Sequence, residues 1–359
     1  MKKHNKIIIT AVLALVIVTV LCSCGAPNTV STDTKYKLTL LTNVYPDASG
    51  AEMYKRAEFA LSGSTVSGCA WSALKEYQKK TYDNTTKDTL AAIKYYTPSE
   101  AKGTDTVTYS AAFTASAKKQ LELAAAGGAE LIVVSGEEFT NAYLDVKDTT
   151  KTFGEITFVL LTAPGAKTAE AATLNAKTTA VVIDVEQLGY LFGYYAVQNG
   201  FKKIGYAALE GGASAAFAAG LKEGAEAAGD AEILTSYTTS GPVDNVIKDD
   251  IAKISDKADL LIGDETTASY IAGTGKKYAS IYKDEKAEFS ISLNAEVLTA
   301  KLADIINTAR QSNAASVKRL GAADGIYVYS KDSALVQVPE LSLSSNSTPA
   351  ETTAAETTN

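Results

Sequence analysis

The chain has 359 residues, with 34 basic against 41 acidic side chains, one histidine and three cysteines. That acidic balance argues against nucleic acid and anionic lipid as binding partners. With His4 as the only imidazole, Ser-His-Asp, Cys-His and His-based zinc chemistry lack their central residue. No metal or other cofactor is implied, and the chain does not read as an enzyme.

The N-terminus carries Lys2, Lys3 and Lys6, then an uncharged run over 7–21, IIITAVLALVIVTVL. These are the basic and apolar regions of a secretory signal. A spanning helix needs about 20 apolar residues and charged flanks, whereas this run ends in Cys-Ser-Cys-Gly. Leu21-Cys22-Ser23-Cys24 resembles a bacterial lipobox, with a branched aliphatic three before the modified cysteine and a small residue just before it. The resemblance implies cleavage after residue 23 and lipid modification of Cys24, anchoring the protein on the extracytoplasmic face of the cell membrane. Two acyl chains suffice for that without a polybasic patch. Cys22 and His4 then leave with the signal, and a C-x-C metal pair lacks the further ligands it would need. Residues 24–35 read as a linker, and the Ser/Thr-rich 341–359, too poor in large apolar residues to pack, as a disordered tail.

Between these ends, short β-rich runs recur at 36–43, 90–97, 129–136, 155–162, 178–185, 202–209, 231–238 and 258–265. Most are separated by Ala-, Lys- and Glu-rich segments of helical spacing, such as SAAFTASAKKQLELAAAGG (110–128) and ASAAFAAGLKEGAEAAGD (213–230). Continuous apolar strands alternating with amphipathic helices predict parallel sheets covered on both faces. Gly127-Gly128, Gly200 and Gly229 stand where left-handed helix stops belong. About 305 residues exceed what one core usually holds. The fold class is therefore α/β in two lobes: 36–160 as the N-terminal lobe and 161–285 as the C-terminal lobe. A return segment follows over 286–340, whose AEVLTAKLADIINTAR (295–310) packs near the hinge.

The segment 185–229 carries Glu186 and Gly189, Leu191 and Gly193, the strand Lys203-Ile204-Gly205-Tyr206, the turn Gly211-Gly212, and Phe217, Gly220, Gly224 and Ala225 on one helix. In order and spacing it resembles the basic membrane protein family of ABC-transporter substrate-binding lipoproteins. Residues 117–142 and 67–80, around Trp71, resemble the same family's helix-strand-turn and first helix. The resemblance implies a type I periplasmic-binding-protein-like fold, an ABC permease as partner and a small solute, often a purine nucleoside, as ligand. The pocket pattern departs from the family: Asn43 ends the first strand, Val66 and Ser67 replace the Phe-Asn pair, and 44–63 is an extra loop. Tyr45, Tyr54, Phe139 or Tyr282 are left to offer a stacking face.

Other signals carry less. Gly273–Lys277 lacks the Ser or Thr of a phosphate loop and reads as a helix-to-strand turn. Ser72/Lys75 and Ser116/Lys119 match a Ser-x-x-Lys spacing on helix faces read as solvated. Asp249-Asp250 reads as a helix surface, and Cys69 as a small buried residue. Glu137 follows a strand end where cleft residues belong. With Arg56, Arg310 and Arg319 as the only arginines, a clamp on an anion has few sources, which favours a neutral ligand. Strand carboxyl ends and the turns after them nominate Asn43, Ser67, Glu137, Asn141, Gly211, Gly212 and Asp264 as ligand contacts, with Phe217 added by the family resemblance. Their amide, hydroxyl and carboxylate groups suit a nucleoside first and a sugar second. A surface sensor or adhesin that keeps the fold without transport is the alternative role.

Overall fold

A computed structural model describes residues 36–42, 61, 65–82, 93–96, 106–149, 151–239, 244–331 and 334–337. The signal, Cys24, the linker, Asn43, the 44–63 loop apart from Leu61, and the tail lie outside them.

The chain builds two doubly wound sheets. The first runs β1 (Leu38–Thr42), α1 (Val66–Thr81), β2 (Ile93–Tyr96), α2 (Thr106–Ala126), β3 (Leu131–Ser135), α3 (Glu137–Val146), α4 (Lys151–Glu155), β4 (Thr157–Thr162) and β5 (Thr178–Ile183). The second runs α5 (Val185–Gln198), β6 (Lys203–Leu209), α6 (Gly212–Ala228), β7 (Glu232–Thr238), α7 (Asp244–Ser255), β8 (Leu260–Gly263), α8 (Ala268–Ala272), β9 (Tyr278–Ser280) and β10 (Phe289–Leu293). Then α9 (Ala295–Gln311) and β11 (Ser316–Leu320) return to the first lobe, and β12 (Tyr327–Lys331) and β13 (Ala334–Gln337) close the second. Strand orders are β11-β5-β4-β3-β1-β2 and β13-β12-β10-β9-β8-β6-β7. The pairings are parallel except at β10–β12 and β12–β13.

Alternate residues of the central strands face opposite layers, as a period of two requires. Leu131, Val133, Val159 and Leu161 join the layer between the first sheet and α1, whereas Ile132, Val134, Phe158 and Leu160 join the layer under α2 and α3. In the second sheet Leu260 and Ile262 face the large core, and Leu261 faces the layer with Ile247, Ile251 and Ile271. Cys69 is fully buried on α1, and burial pushes its thiol up.

The lobe boundary lies later than the expected 160/161. Residues 157–183 supply β4 and β5 to the first sheet, because their strands are apolar on both faces and pair in parallel with β3 and with each other. The chain crosses between lobes at Asp184, at Asn294 and between Leu320 and Ile326. Asp184 N donates to Leu320 O and Asn294 N to Ile326 O, each at 2.8 Å, so the crossings are hydrogen-bonded in register. Both residues also cap the helix that follows, Asp184 Oδ1 accepting from Gln187 N at 3.1 Å and Asn294 Oδ1 from Val297 N at 3.4 Å. Helix α9 packs on α1, and Arg310 anchors it by donating to Glu130 O at 3.0 Å.

Helices α5 and α6 cross unusually closely. A Cβ at Gly189 or Gly193 would lie 2.0 Å from the carbonyl oxygen of Phe217 or Leu221, and one at Gly220 or Gly224 1.9 Å from that of Glu186 or Tyr190. The four glycines sit at i, i+4 spacing on facing sides, which accounts for the motif read at these positions.

Candidate functional site

In each sheet the connection reverses direction once: between β1 and β3 in the first, and between β6 and β8 in the second. Such switch points leave a crevice at the strand carboxyl ends. On the first lobe Ser67, in the opening turn of α1, fills it. Thr42 Oγ1 at the end of β1 donates to Ser67 Oγ at 2.7 Å, and Ser67 Oγ lies 2.8 Å from Ser135 Oγ at the end of β3. Thr65 holds that turn in place, its Oγ1 accepting from Gly68 N at 2.9 Å. After β3 the chain turns at Gly136, where φ is 108°, a value that favours glycine. Glu137 then opens α3, with Asn141 exposed one turn on.

On the second lobe β6 runs into Glu210, Gly211 and Gly212, the last opening α6. Gly211 has no side chain with which to cap that helix, and the cap comes from the other lobe: Gly212 N donates to Glu137 Oε2 at 3.2 Å. The two switch points therefore face each other. Helix N-termini attract such a carboxylate because their first amides lack intrahelical partners.

Asp264, one residue past β8, is occupied by its own backbone. Oδ2 accepts from Leu209 N at 2.7 Å, while Oδ1 accepts from Thr266 N at 2.9 Å and Thr267 N at 2.8 Å. Its carboxylate ties the end of β6 to that of β8. Burial pushes its pKa up, against the pull of those amides.

Of the nominated residues, Ser67, Glu137, Gly211 and Gly212 are brought to this crevice, while Asn43 lies outside the described residues. Phe217 is a correction: it is 5% exposed and its ring stacks on Tyr206 at 4.6 Å beside Phe192. It faces the core because the α6 ridge carrying it packs onto β6. Phe139, fully buried on the core side of α3, cannot offer a stacking face either; Tyr45 and Tyr54 lie outside the described residues. Ser116, read as solvated, is buried. Asp250, read as surface, is also buried, accepting from Thr238 Oγ1 at 2.7 Å and pairing with Lys253 at 2.5 Å. Gly273–Lys277 does join α8 to β9 as a turn.

Sequence reasoning missed Glu265. It is exposed beside Asp264 at the same edge, where desolvation first and the Asp264 charge second lift its carboxyl to about 7. Tyr282, after β9, feels both acids, and its pKa is raised first by burial and then by them. Among the described residues no group of His, Cys, Asp and Glu side chains is placed to hold a metal ion, and no helix is long and apolar enough to cross a membrane.

No protein-family model and no curated protein sequence matches the chain. Solved structures do. An ABC transporter solute-binding protein from Conexibacter woesei aligns with a TM-score of 0.52 at 15% identity, covering 83% of this chain and 89% of its own. A LacI family transcriptional regulator from Enterococcus faecium with bound ribose gives 0.51 at 13%, covering 84% and 99%. An ABC domain from Streptococcus pneumonia in complex with L-Trp gives 0.51 at 13%, covering 79% and 89%. At such identities the likeness speaks to fold, and the fold is the two-lobed, type I periplasmic-binding-like one.

Proposed function

We propose that this protein captures a small polar solute between its lobes as the substrate-binding component of an ABC importer. The observation that carries this reading is the Glu137–Gly212 hydrogen bond, which sets the two strand-end crevices against each other as the walls of one cleft. Ligands of open α/β sheets bind at such crevices. The fold shared with solved ABC solute-binding proteins points the same way.

The contact set in this reading is Asn43, Ser67, Glu137, Asn141, Gly211 and Gly212, with Asp264 positioning the second wall rather than reaching out. Hydroxyl, amide and carboxylate groups there match a ligand with several O–H and N–H groups, a nucleoside first and a sugar second. The protein is lipid-anchored through Cys24 on the outer face of the cell membrane, where it meets its permease. A thermal-shift screen with nucleosides, sugars and amino acids, followed by calorimetry on any hit, tests capture. Clear binding of a dianionic solute alone contradicts the ligand class. Membrane fractionation tests the anchor: Cys24→Ala should release the protein while Cys22→Ala should not, and equal retention of both refutes it.

A further inference from the structure

The contact between the lobes is a loose one that solute can reach. Gly212 N donates to Glu137 Oε2 at 3.2 Å, the long end of the N–H···O range, and both residues are exposed. Its fit is set by Gly211. A Cβ on Gly211 would stand 2.9 Å from Glu137 Oε2, whereas one on Gly212 would lie 3.9 Å from Oε1. Gly211 has φ 174° and ψ 170°, an extended backbone that any residue adopts, so its missing side chain serves the approach of the carboxylate and not the conformation of the chain.

The two groups that meet here ask for opposite things. A carboxylate accepts only, and a backbone N–H donates only. A hydroxyl is the smallest group that answers both through one atom, donating to Glu137 and accepting from Gly212 N. An ammonium would satisfy the carboxylate and leave the amide without an acceptor. A carboxylate or phosphate oxygen would take the amide and face the charge of Glu137, and a methyl group would serve neither. Each unanswered group costs affinity.

We infer that Glu137 and Gly212 form a subsite straddling the two lobes that selects a hydroxyl group of the captured solute. This rests on the solute-capture reading above and names the group by which solutes are told apart. With the hydroxyl oxygen between them, the two hydrogen bonds span about 2.7–3.0 Å each. The amide and the carboxylate then part from direct contact and stay joined through the solute. Closure comes to depend on that one hydroxyl, because through it both lobes hold the same atom.

Calorimetry of the mature full-length protein tests this with adenosine and D-ribose, the monodeoxy analogues of each, and L-leucine as a solute without an alcohol group. The expected result is that wild type binds adenosine or ribose and loses at least about tenfold in affinity when one particular hydroxyl is removed. Glu137→Ala should bind the parent and that deoxy analogue within about twofold of each other. Gly211→Ala keeps the carboxylate but crowds it, and should shrink the same discrimination. Discrimination that persists unchanged in both variants, equal wild-type binding of all the analogues, or binding of L-leucine only overturns the subsite while leaving capture standing. A wild-type protein that binds none of the probes sinks the capture reading and the subsite together.

Discussion

Glu137 Oε2 accepts a hydrogen bond from Gly212 N at 3.2 Å, so a side chain of the first lobe caps a helix of the second. The cap exists because Gly211 precedes α6 without a side chain of its own, and because Gly136, at φ 108°, turns the chain so that α3 begins with a carboxylate at the crevice.

Removing that carboxylate should loosen the lobes. Glu137→Gln weakens a charge-assisted cap worth about 0.5–1 kcal/mol and Glu137→Ala abolishes it. Solution scattering should show a larger radius of gyration for Glu137→Ala than for wild type, with Glu137→Gln between them. Identical scattering from all three proteins contradicts a role in holding the lobes.

The α5–α6 crossing should tolerate no side chain. At Gly220 and Gly224 an added methyl meets a backbone carbonyl at 1.9 Å, which no rotamer change relieves. Each helix would have to shift, and Gly220→Ala should cost about 3 kcal/mol, at the upper end of overpacking penalties. Gly154, exposed on α4 with open space around it, is the control: Gly154→Ala should be neutral or stabilise by up to about 1 kcal/mol. Urea denaturation compares them, and equal midpoints for the two variants would refute the packing account.

How far the sequence could be read follows from what each residue's role depends on. All eight strands expected from β-rich runs are present, from β1 to β8; the central ones, buried on both faces, must be apolar throughout, and the edge strands β2 and β7 are marked by aromatic and β-branched residues instead. β9 has three residues, and β11 is an edge strand reading SVKRL with Lys318 and Arg319 exposed, so neither leaves an apolar run to detect. The lobe boundary was misplaced because β5 looks like any other parallel strand; only its pairing with β4 and β11 assigns it. Ser67 and Glu137 were legible as strand-end residues. The split between Asp264 and Glu265 was not, since two adjacent acids after a strand look alike until the amides of Leu209, Thr266 and Thr267 are seen to take the first.

Asp264 should be a stability residue first. Asp264→Asn keeps the shape but turns an amide NH2 toward at least one of the three backbone donors, leaving that donor unsatisfied. The expected cost is about 2 kcal/mol, the range for a lost hydrogen bond to a charged acceptor. Slowed hydrogen exchange at Leu209 and Thr267 in wild type should be lost in the variant. Unchanged exchange at both amides contradicts the assignment.

The last prediction concerns pH and isolates Glu265. Its folded-state carboxyl titrates near 7 against an ordinary 4.5, so between those values the folded protein keeps a proton that the unfolded chain releases. Where the native state binds more protons, stability falls as pH rises, and the loss is complete once pH passes about 7. Below 4.5 both states are protonated and the residue contributes no pH dependence. Asp264, also raised by burial, slopes the same way at lower pH, and Tyr282, raised further, stays neutral throughout this window. Glu265→Gln removes only the Glu265 contribution. Its melting temperature should match wild type at pH 4.5, rise above it progressively toward pH 7, and hold a constant lead beyond. A wild-type protein that gains stability relative to Glu265→Gln between pH 5 and 8 would mean that the folded state favours the charged carboxylate, and the desolvation account of its raised pKa would have to be abandoned.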